Sequence, residues 1–108
     1  MVRSTIVGVL VLVGMASVAS AQDKAKGEAV FAAQKCSLCH SVAGKGNPKG
    51  SLDDVGSKLK ADEIRAWIND SKTQYAKSGS TRKPEMKAYA LPKEDVDNLV
   101  AYLVTLKK

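Results

Sequence analysis

Both cysteines of the chain and its only histidine lie within one segment of five residues, Cys36-Ser37-Leu38-Cys39-His40. A disulfide-dense scaffold is therefore excluded, and a zinc site would have to take its fourth ligand from a carboxylate or from water. The length of 108 residues leaves room for a single domain and excludes a multi-domain enzyme. Any cysteine or histidine chemistry of the chain must come from this one segment.

The segment has the form C-x-x-C-H, which is the signature of covalent attachment of a c-type haem. Its two thiols add across the two vinyl groups of haem, and the two intervening residues let one short segment reach both. The adjacent imidazole then lies beneath the iron. We predict one haem c per chain, bound through thioethers to Cys36 and Cys39, with His40 as an axial iron ligand.

Two readings without haem remain open at this point. Cys36 and Cys39 can form a plain disulfide in an oxidising compartment. They can also act as a thioredoxin-like redox pair, but that requires a βαβ setting, and no stretch alternates long enough to indicate a sheet. A thiol–disulfide protein of either kind would be colourless when purified.

Residues 1–21 have the three-part composition of a secretory signal peptide. Arg3 is followed by an apolar stretch from Ile6 to Ala19 and by Ala19-Ser20-Ala21, a site of the kind that signal peptidase cleaves. The stretch of 14 residues is shorter than the roughly 20 that a membrane helix needs, although an uncleaved anchor is the alternative. We expect cleavage after about Ala21 and export of residues 22–108 to the periplasm.

The exported part is expected to be all-α. Three segments favour helix by composition or by apolar residues at helical spacing: residues 23–34, 60–70 and 92–108. The last of these has the clearest pattern, and we expect it to end at Lys107 and Lys108. Residues 43–56 and 71–91 are rich in glycine, proline or polar residues and indicate loops.

These elements contain little material for a core. The sequence has five aromatic residues, one Phe, one Trp and three Tyr, to serve three helices and their long loops. A domain of this size is marginally stable without help. A large apolar group is therefore expected to fill its centre and to be held covalently or very tightly.

Met86 is the only methionine outside the predicted signal peptide. It lies in a predicted loop near Pro84, where the proline stiffens the backbone that approaches it. A six-coordinate haem needs a second axial ligand, and since the single histidine is already used, methionine, lysine and tyrosine remain. His/Met ligation is an established ligand set of c-type haem, so we predict Met86 as the second axial ligand of the iron.

Together these residues resemble a class I cytochrome c of the small bacterial monohaem type, over essentially all of residues 22–108. Four parts carry the resemblance: Gly27 and Phe31 of the N-terminal helix, the C-x-x-C-H motif, Met86 and Tyr89 of the ligand loop, and residues 99–103 of the C-terminal helix. The resemblance implies a cytochrome c-like fold, with three main helices and long loops around one covalent haem. It also implies that the terminal helices cross at Gly27, where a side chain would push Leu99 and Tyr102 away.

Two details of the resemblance stay open. The family usually carries Gly-Pro-x-Leu after its haem motif, and the proline carbonyl accepts the N–H of the haem-ligating histidine. Here Lys49-Gly50-Ser51-Leu52 stands in that register, so the acceptor is the carbonyl of Pro48 or of Gly50. Trp67 either donates its indole N–H to a haem propionate or packs in the core.

Filling both axial positions leaves no site for a substrate or for oxygen, so we expect an electron carrier rather than an enzyme. The carrier would transfer one electron at a time at a positive potential, because thioether sulfur and a buried haem both favour ferrous iron. A ligand-binding sensor or weak peroxidase, in which Met86 leaves the iron, is the alternative. We expect a monomer that exchanges electrons with redox proteins, such as a reductase or dehydrogenase donor and an oxidase or other acceptor.

The charge of the chain bears on these partners. The formal charge is +6, from 17 basic and 11 acidic residues, and it is +5 without Arg3. Many lysines fall in predicted loops and at helix ends. A basic ring around the haem edge would steer acidic partners, whereas scattered lysines would serve solubility alone. Nucleic acid is not an expected partner, because the chain carries an export signal and no recognition element.

Overall fold

The computed structural model describes residues 23–108, and the predicted signal peptide lies outside this range. The elements follow in chain order: α1 (Lys24–Ala33), β1 (Ser41–Val42), β2 (Lys45–Gly46), α2 (Val55–Lys58), α3 (Ala61–Asn69), α4 (Ser71–Ser78) and α5 (Lys93–Leu103). Two short 3-10 turns add to these: Cys36–Leu38 and Pro48–Gly50. The prediction of an all-α domain is confirmed, since the two strands form only a two-residue antiparallel pair. Within residues 23–108, no helix is both long enough and apolar enough to cross a bilayer.

The first and last helices cross at Gly27, as predicted. A Cβ atom at Gly27 would collide with the backbone carbonyl of Asn98 and would lie 2.8 Å from the Cβ of Tyr102. One turn further along α1, the rings of Phe31 and Tyr102 meet edge to face with centroids 5.9 Å apart. A side chain at Gly27 would therefore first meet the α5 backbone at Asn98 and the side chain of Tyr102. Of the two residues expected to be pushed away, Tyr102 is among these nearest contacts and Leu99 is not.

The hydrophobic core lies between α1, α3 and α5. Its buried apolar side chains come mostly from α5: Phe31, Ile64, Ile68, Val96, Leu99, Val100, Tyr102 and Leu103. At the surface, Arg65 of α3 and Lys93 of α5 both pair with Asp97, with the Lys93 Nζ–Asp97 Oδ2 distance at 2.6 Å. Lys93 is exposed, whereas Arg65 and Asp97 are only half-buried. Such pairs near the surface contribute little, so burial at the helix interfaces supplies most of the stability of this core.

Two predicted loops contain regular structure. Residues 71–91 were expected to be mostly loop, but residues 71–78 form α4, which ends where Gly79 adopts a left-handed φ of 69°. Ser71 is the only buried residue of this helix, so no apolar periodicity indicates it. Residues 43–56 contain the second strand, a 3-10 turn and the start of α2. Both segments were wrongly predicted as loops because their backbone hydrogen bonds form without apolar residues at helical or strand spacing.

The last helix is shorter than predicted. It ends at Leu103 rather than at Lys107 and Lys108, because the Thr105 hydroxyl donates a 2.6 Å hydrogen bond to the Tyr102 carbonyl and the chain turns away. The tail then lies against the region of α2. The Leu106 carbonyl accepts the Gly56 N–H at 2.8 Å, and the Lys108 N–H donates to the Asp54 carboxylate at 3.0 Å.

Replacing Gly27 with valine is expected to destabilise the protein by about 1–3 kcal/mol, the usual cost of overpacking. The added carbons meet the α5 backbone, which cannot move without separating α1 from α5. Ala29→Val is the matched control, because Ala29 lies exposed on the same helix and should lose only about 0.7 kcal/mol of helix propensity. Denaturant unfolding measures both, and equal losses for the two variants would contradict the close crossing.

Candidate cofactor-binding site

A cavity of about 240 Å³ opens beside the core. Protein interiors rarely contain voids larger than a water molecule, so a cavity of this size is a binding site rather than a packing defect. Its walls are mostly apolar and include α3 and α5 residues such as Ile64, Trp67 and Leu99. All four predicted site residues lie on its walls: Cys36, Cys39, His40 and Met86.

The two cysteines are brought to the cavity by a tight turn. Lys35 adopts a left-handed φ of 56° after α1, and the chain then forms the 3-10 turn Cys36–Leu38. The Cys36 carbonyl accepts the N–H groups of Cys39 at 3.1 Å and of His40 at 2.9 Å. This turn compresses the motif, and Cys36, Cys39 and His40 all line the cavity.

Burial raises the pKa of the Cys36 thiol, and the nearby Cys39 raises it further. Tyr89, from the loop that follows α4, lines the same cavity, where burial raises the pKa of its phenol and the nearby Cys36 raises it further. Lys87 lies over the Tyr89 ring, with its Nζ 4.9 Å from the ring centroid. The first cysteine is therefore fixed by its own turn and lies close to Tyr89 of the loop that carries Met86.

His40 is oriented by a backbone carbonyl. Its Nδ1 lies 2.9 Å from the carbonyl oxygen of Gly50. Since a carbonyl can only accept, Nδ1 carries the proton and Nε2 keeps the lone pair that a metal ligand needs. Burial lowers the pKa of His40, which favours the neutral, metal-binding form. Of the two carbonyls left open by the sequence, Gly50 and not Pro48 is the acceptor.

A small hairpin fixes the backbone of His40. Ala43 and Gly44, between β1 and β2, have φ values of 52° and 80°, the left-handed pair that a tight two-residue turn requires. The Asn47 N–H then donates to the His40 carbonyl at 3.0 Å. A Cβ atom at Gly46 would collide with that same carbonyl. Gly46 therefore permits the close approach that keeps the histidine in place.

Arg82 is a site residue whose role the sequence did not reveal. Its guanidinium donates a hydrogen bond to the Cys39 carbonyl and lines the cavity. A Cβ atom at Gly50 would collide with both this guanidinium and the Cys39 carbonyl. The Arg82 charge is close enough to His40 to contribute to the lowering of its pKa. The only sequence signal was a basic residue four positions before Met86.

Met86 is half-buried at the cavity wall, in a stretch from Gly79 to Pro92 that contains no helix or strand. Two hydrogen bonds tie this part of the stretch to α3 and α4. The Ser71 hydroxyl donates to the Met86 carbonyl at 2.7 Å, and the Tyr89 N–H donates to the Ile68 carbonyl at 2.9 Å. The structure thus brings the thioether to the same cavity as the imidazole of His40.

The donor set fits a haem. Two thiols, an imidazole with a free Nε2 and a methionine sulfur line one apolar cavity, and these are the groups that attach and ligate c-type haem. Trp67 is half-buried on the cavity wall, where both the propionate contact and the packing role remain predictions.

Comparison with known proteins gives one match. Residues 24–107 match a family model described as Cytochrome c. Searches among curated proteins and among solved structures return no significant match. The matched range spans every helix and strand described above, together with the cavity and all four predicted site residues.

Gly50→Ala is expected to lower the free energy of unfolding by about 1–3 kcal/mol, because the new methyl group collides with the Cys39 carbonyl and with Arg82. Ser51→Ala is the control, since Ser51 is exposed and its loss should change stability by no more than about 0.5 kcal/mol. Thermal unfolding of both variants tests the prediction. A Gly50→Ala protein as stable as the control would mean that the packing around His40 is loose.

Proposed function

The chain belongs to the cytochrome c family, and from this membership we propose that it is a periplasmic one-electron carrier with His40 and Met86 as axial iron ligands. The family implies a haem-binding electron carrier, and the C-x-x-C-H motif assigns covalent attachment of haem c to Cys36 and Cys39. The observation that carries the ligand assignment is that His40 and Met86 line the same cavity.

Haem c supplies an iron that exchanges one electron between its ferrous and ferric states. Met86 offers a thioether, a soft donor that favours the ferrous state. The apolar cavity wall disfavours the extra positive charge of the ferric state, and the Arg82 cation acts in the same direction. The Gly50 carbonyl opposes them, because its hydrogen bond makes the His40 imidazole a stronger donor. We expect the first three effects to prevail and the reduction potential to be positive.

The residues around the cavity also suit rapid electron exchange. His40 is held through both its ring and its backbone, and the loop carrying Met86 is tied to α3 and α4 by hydrogen bonds. Groups held in this way keep nearly the same geometry in both oxidation states. Little rearrangement would then accompany each transfer, and an iron held by both His40 and Met86 would offer no site for a substrate.

The partner surface is proposed to lie at the haem attachment turn. Leu38, between the two cysteines, is 71% exposed, the one large hydrophobic side chain so exposed within the described residues. Lys35 precedes the turn, Lys45 lies on the strand that packs against it, and Lys87 is close enough to affect the pKa of Cys36. We call these four residues the docking face. An apolar centre with a cationic rim suits redox partners whose own surface is acidic.

The proposed location and partners rest on the sequence. Residues 1–21 have the composition of a cleaved export signal, which supports a periplasmic carrier of residues 22–108. We propose a reductase or dehydrogenase as donor, an oxidase or another redox protein as acceptor, and a monomeric state in solution.

Met86→Ala is expected to abolish the weak red absorption band of the oxidised protein, which marks iron–thioether ligation. Removing the sulfur also opens an axial position, so carbon monoxide should bind the reduced variant at once. The control is Glu85→Ala, a change to the exposed neighbouring residue that leaves the thioether in place. Visible spectra of both oxidation states, with and without carbon monoxide, measure the effect.

Persistence of the red band in Met86→Ala would show that another group ligates the iron. Immediate carbon monoxide binding to the unaltered protein would instead favour the sensor or peroxidase alternative. A purified protein without visible colour would favour the thiol–disulfide alternative.

Lys87→Glu is expected to slow oxidation of the reduced protein by ferricyanide several-fold at low ionic strength, because it reverses a charge on the docking face. Lys24→Glu changes the net charge equally at the opposite end of α1 from Cys36 and should slow the reaction less. The difference should vanish near 1 M salt, where the Debye length is about 3 Å. Stopped-flow rates at several salt concentrations test this, and equal slowing by both variants would assign the lysines to overall charge alone.

A further inference from the structure

Ser71 has an exposed fraction of 0%, the lowest of the buried polar side chains in residues 23–108. It is the first residue of α4, one position after the N-cap Asp70, and so lies outside the position where a serine hydroxyl accepts N–H groups of its own helix. The hydroxyl of Ser71 does something different. It donates a 2.7 Å hydrogen bond to the backbone carbonyl of Met86, 15 residues further along the chain.

This bond is made where the chain has little other support. Between Gly79 and Pro92 there is no helix or strand, so the position of each residue depends on individual hydrogen bonds. Four residues before Met86, the Arg82 carbonyl accepts a 2.8 Å hydrogen bond from the Tyr75 hydroxyl. Three residues after Met86, the Tyr89 N–H donates a hydrogen bond to the Ile68 carbonyl. Within the described residues, the Ser71 bond is the one formed with Met86 itself.

We propose that Ser71 is a positioning residue that keeps the Met86 sulfur on the haem iron, an inference that rests on the proposed ligation by Met86. A methionine side chain has three rotatable bonds and no rigid geometry of its own, so its backbone decides where the sulfur can reach. Without the hydroxyl, the Met86 carbonyl beside α4 has no hydrogen-bond donor, and the segment around Met86 shifts until its carbonyl meets another donor. The sulfur then leaves the iron in a larger fraction of molecules.

Competition with an added ligand measures this fraction. Imidazole binds the iron only when Met86 is off, so its apparent dissociation constant equals the intrinsic one divided by the fraction of molecules in the open state. In the oxidised holoprotein, Ser71→Ala is expected to tighten the apparent binding of imidazole about tenfold and to weaken the red absorption band. A spectrophotometric titration gives both results.

Ser78→Ala is the matched control. Ser78 lies on the same helix, and its hydroxyl also donates a 2.8 Å hydrogen bond to a backbone carbonyl, that of Tyr75. It is exposed, however, and lies at the other end of α4 from Ser71. Its loss should leave both the imidazole affinity and the red band unchanged. An equal response from Ser71→Ala and Ser78→Ala would overturn the proposal, because it would assign the effect to α4 in general.

The Met86→Ala background separates positioning from general loosening. If Ser71 acts through Met86, adding Ser71→Ala to Met86→Ala changes the imidazole affinity no further. A second tightening of similar size in that background would show that Ser71 only supports the pocket. A red band that survives Met86→Ala alone would refute the ligation by Met86, an outcome distinct from any failure of Ser71.

Ser71→Thr covers the case in which the alanine variant is poorly folded. Threonine keeps the hydroxyl donor and adds a methyl group, so it should retain the red band even if its unfolding midpoint falls. Loss of the band in the threonine and alanine variants alike, in step with their loss of stability, would assign Ser71 a packing role and contradict the proposal.

Discussion

The close contact between α1 and α5 at Gly27 is the constraint on which the other parts of the fold depend. It joins the two ends of the described chain, and the backbone of α5 lies where a Cβ atom would otherwise be. α3 then packs on the same helix through Ile64 and Ile68. With the helices fixed in this way, the long segments between them must close around a cavity whose filler the chain itself does not supply. The C-x-x-C-H motif provides that filler by covalent attachment.

The sequence predicted those parts of the fold that side chains determine. Apolar spacing located α3 and α5, composition indicated α1, and Gly27 indicated the crossing of the two terminal helices. The C-x-x-C-H motif and the one methionine outside residues 1–21 located residues that line one cavity. Those signals consist of residue types at fixed intervals, and such intervals can be read without knowing how distant segments meet.

The remaining parts depend on backbone groups, which are the same in every residue. The choice of the Gly50 carbonyl as partner of His40, the left-handed turn at Ala43, and the helix that begins at Ser71 have no side-chain pattern. Arg82 reaches the Cys39 carbonyl across 43 positions of the chain, and no local pattern predicts such a meeting. Gly79, as a helix-ending residue, was the one local sign of α4 that sequence reasoning missed.

Gly50 stands where related proteins usually carry proline, yet its carbonyl serves His40 in the way the family's proline does. Because a Cβ atom there would collide with the Cys39 carbonyl and with the guanidinium of Arg82, a proline at position 50 is compatible with this arginine only if the backbone and the arginine side chain both shift. The two positions should therefore vary together during evolution. A relative that carries proline at position 50 must both shift the Cys39 carbonyl and shorten or redirect the side chain at position 82.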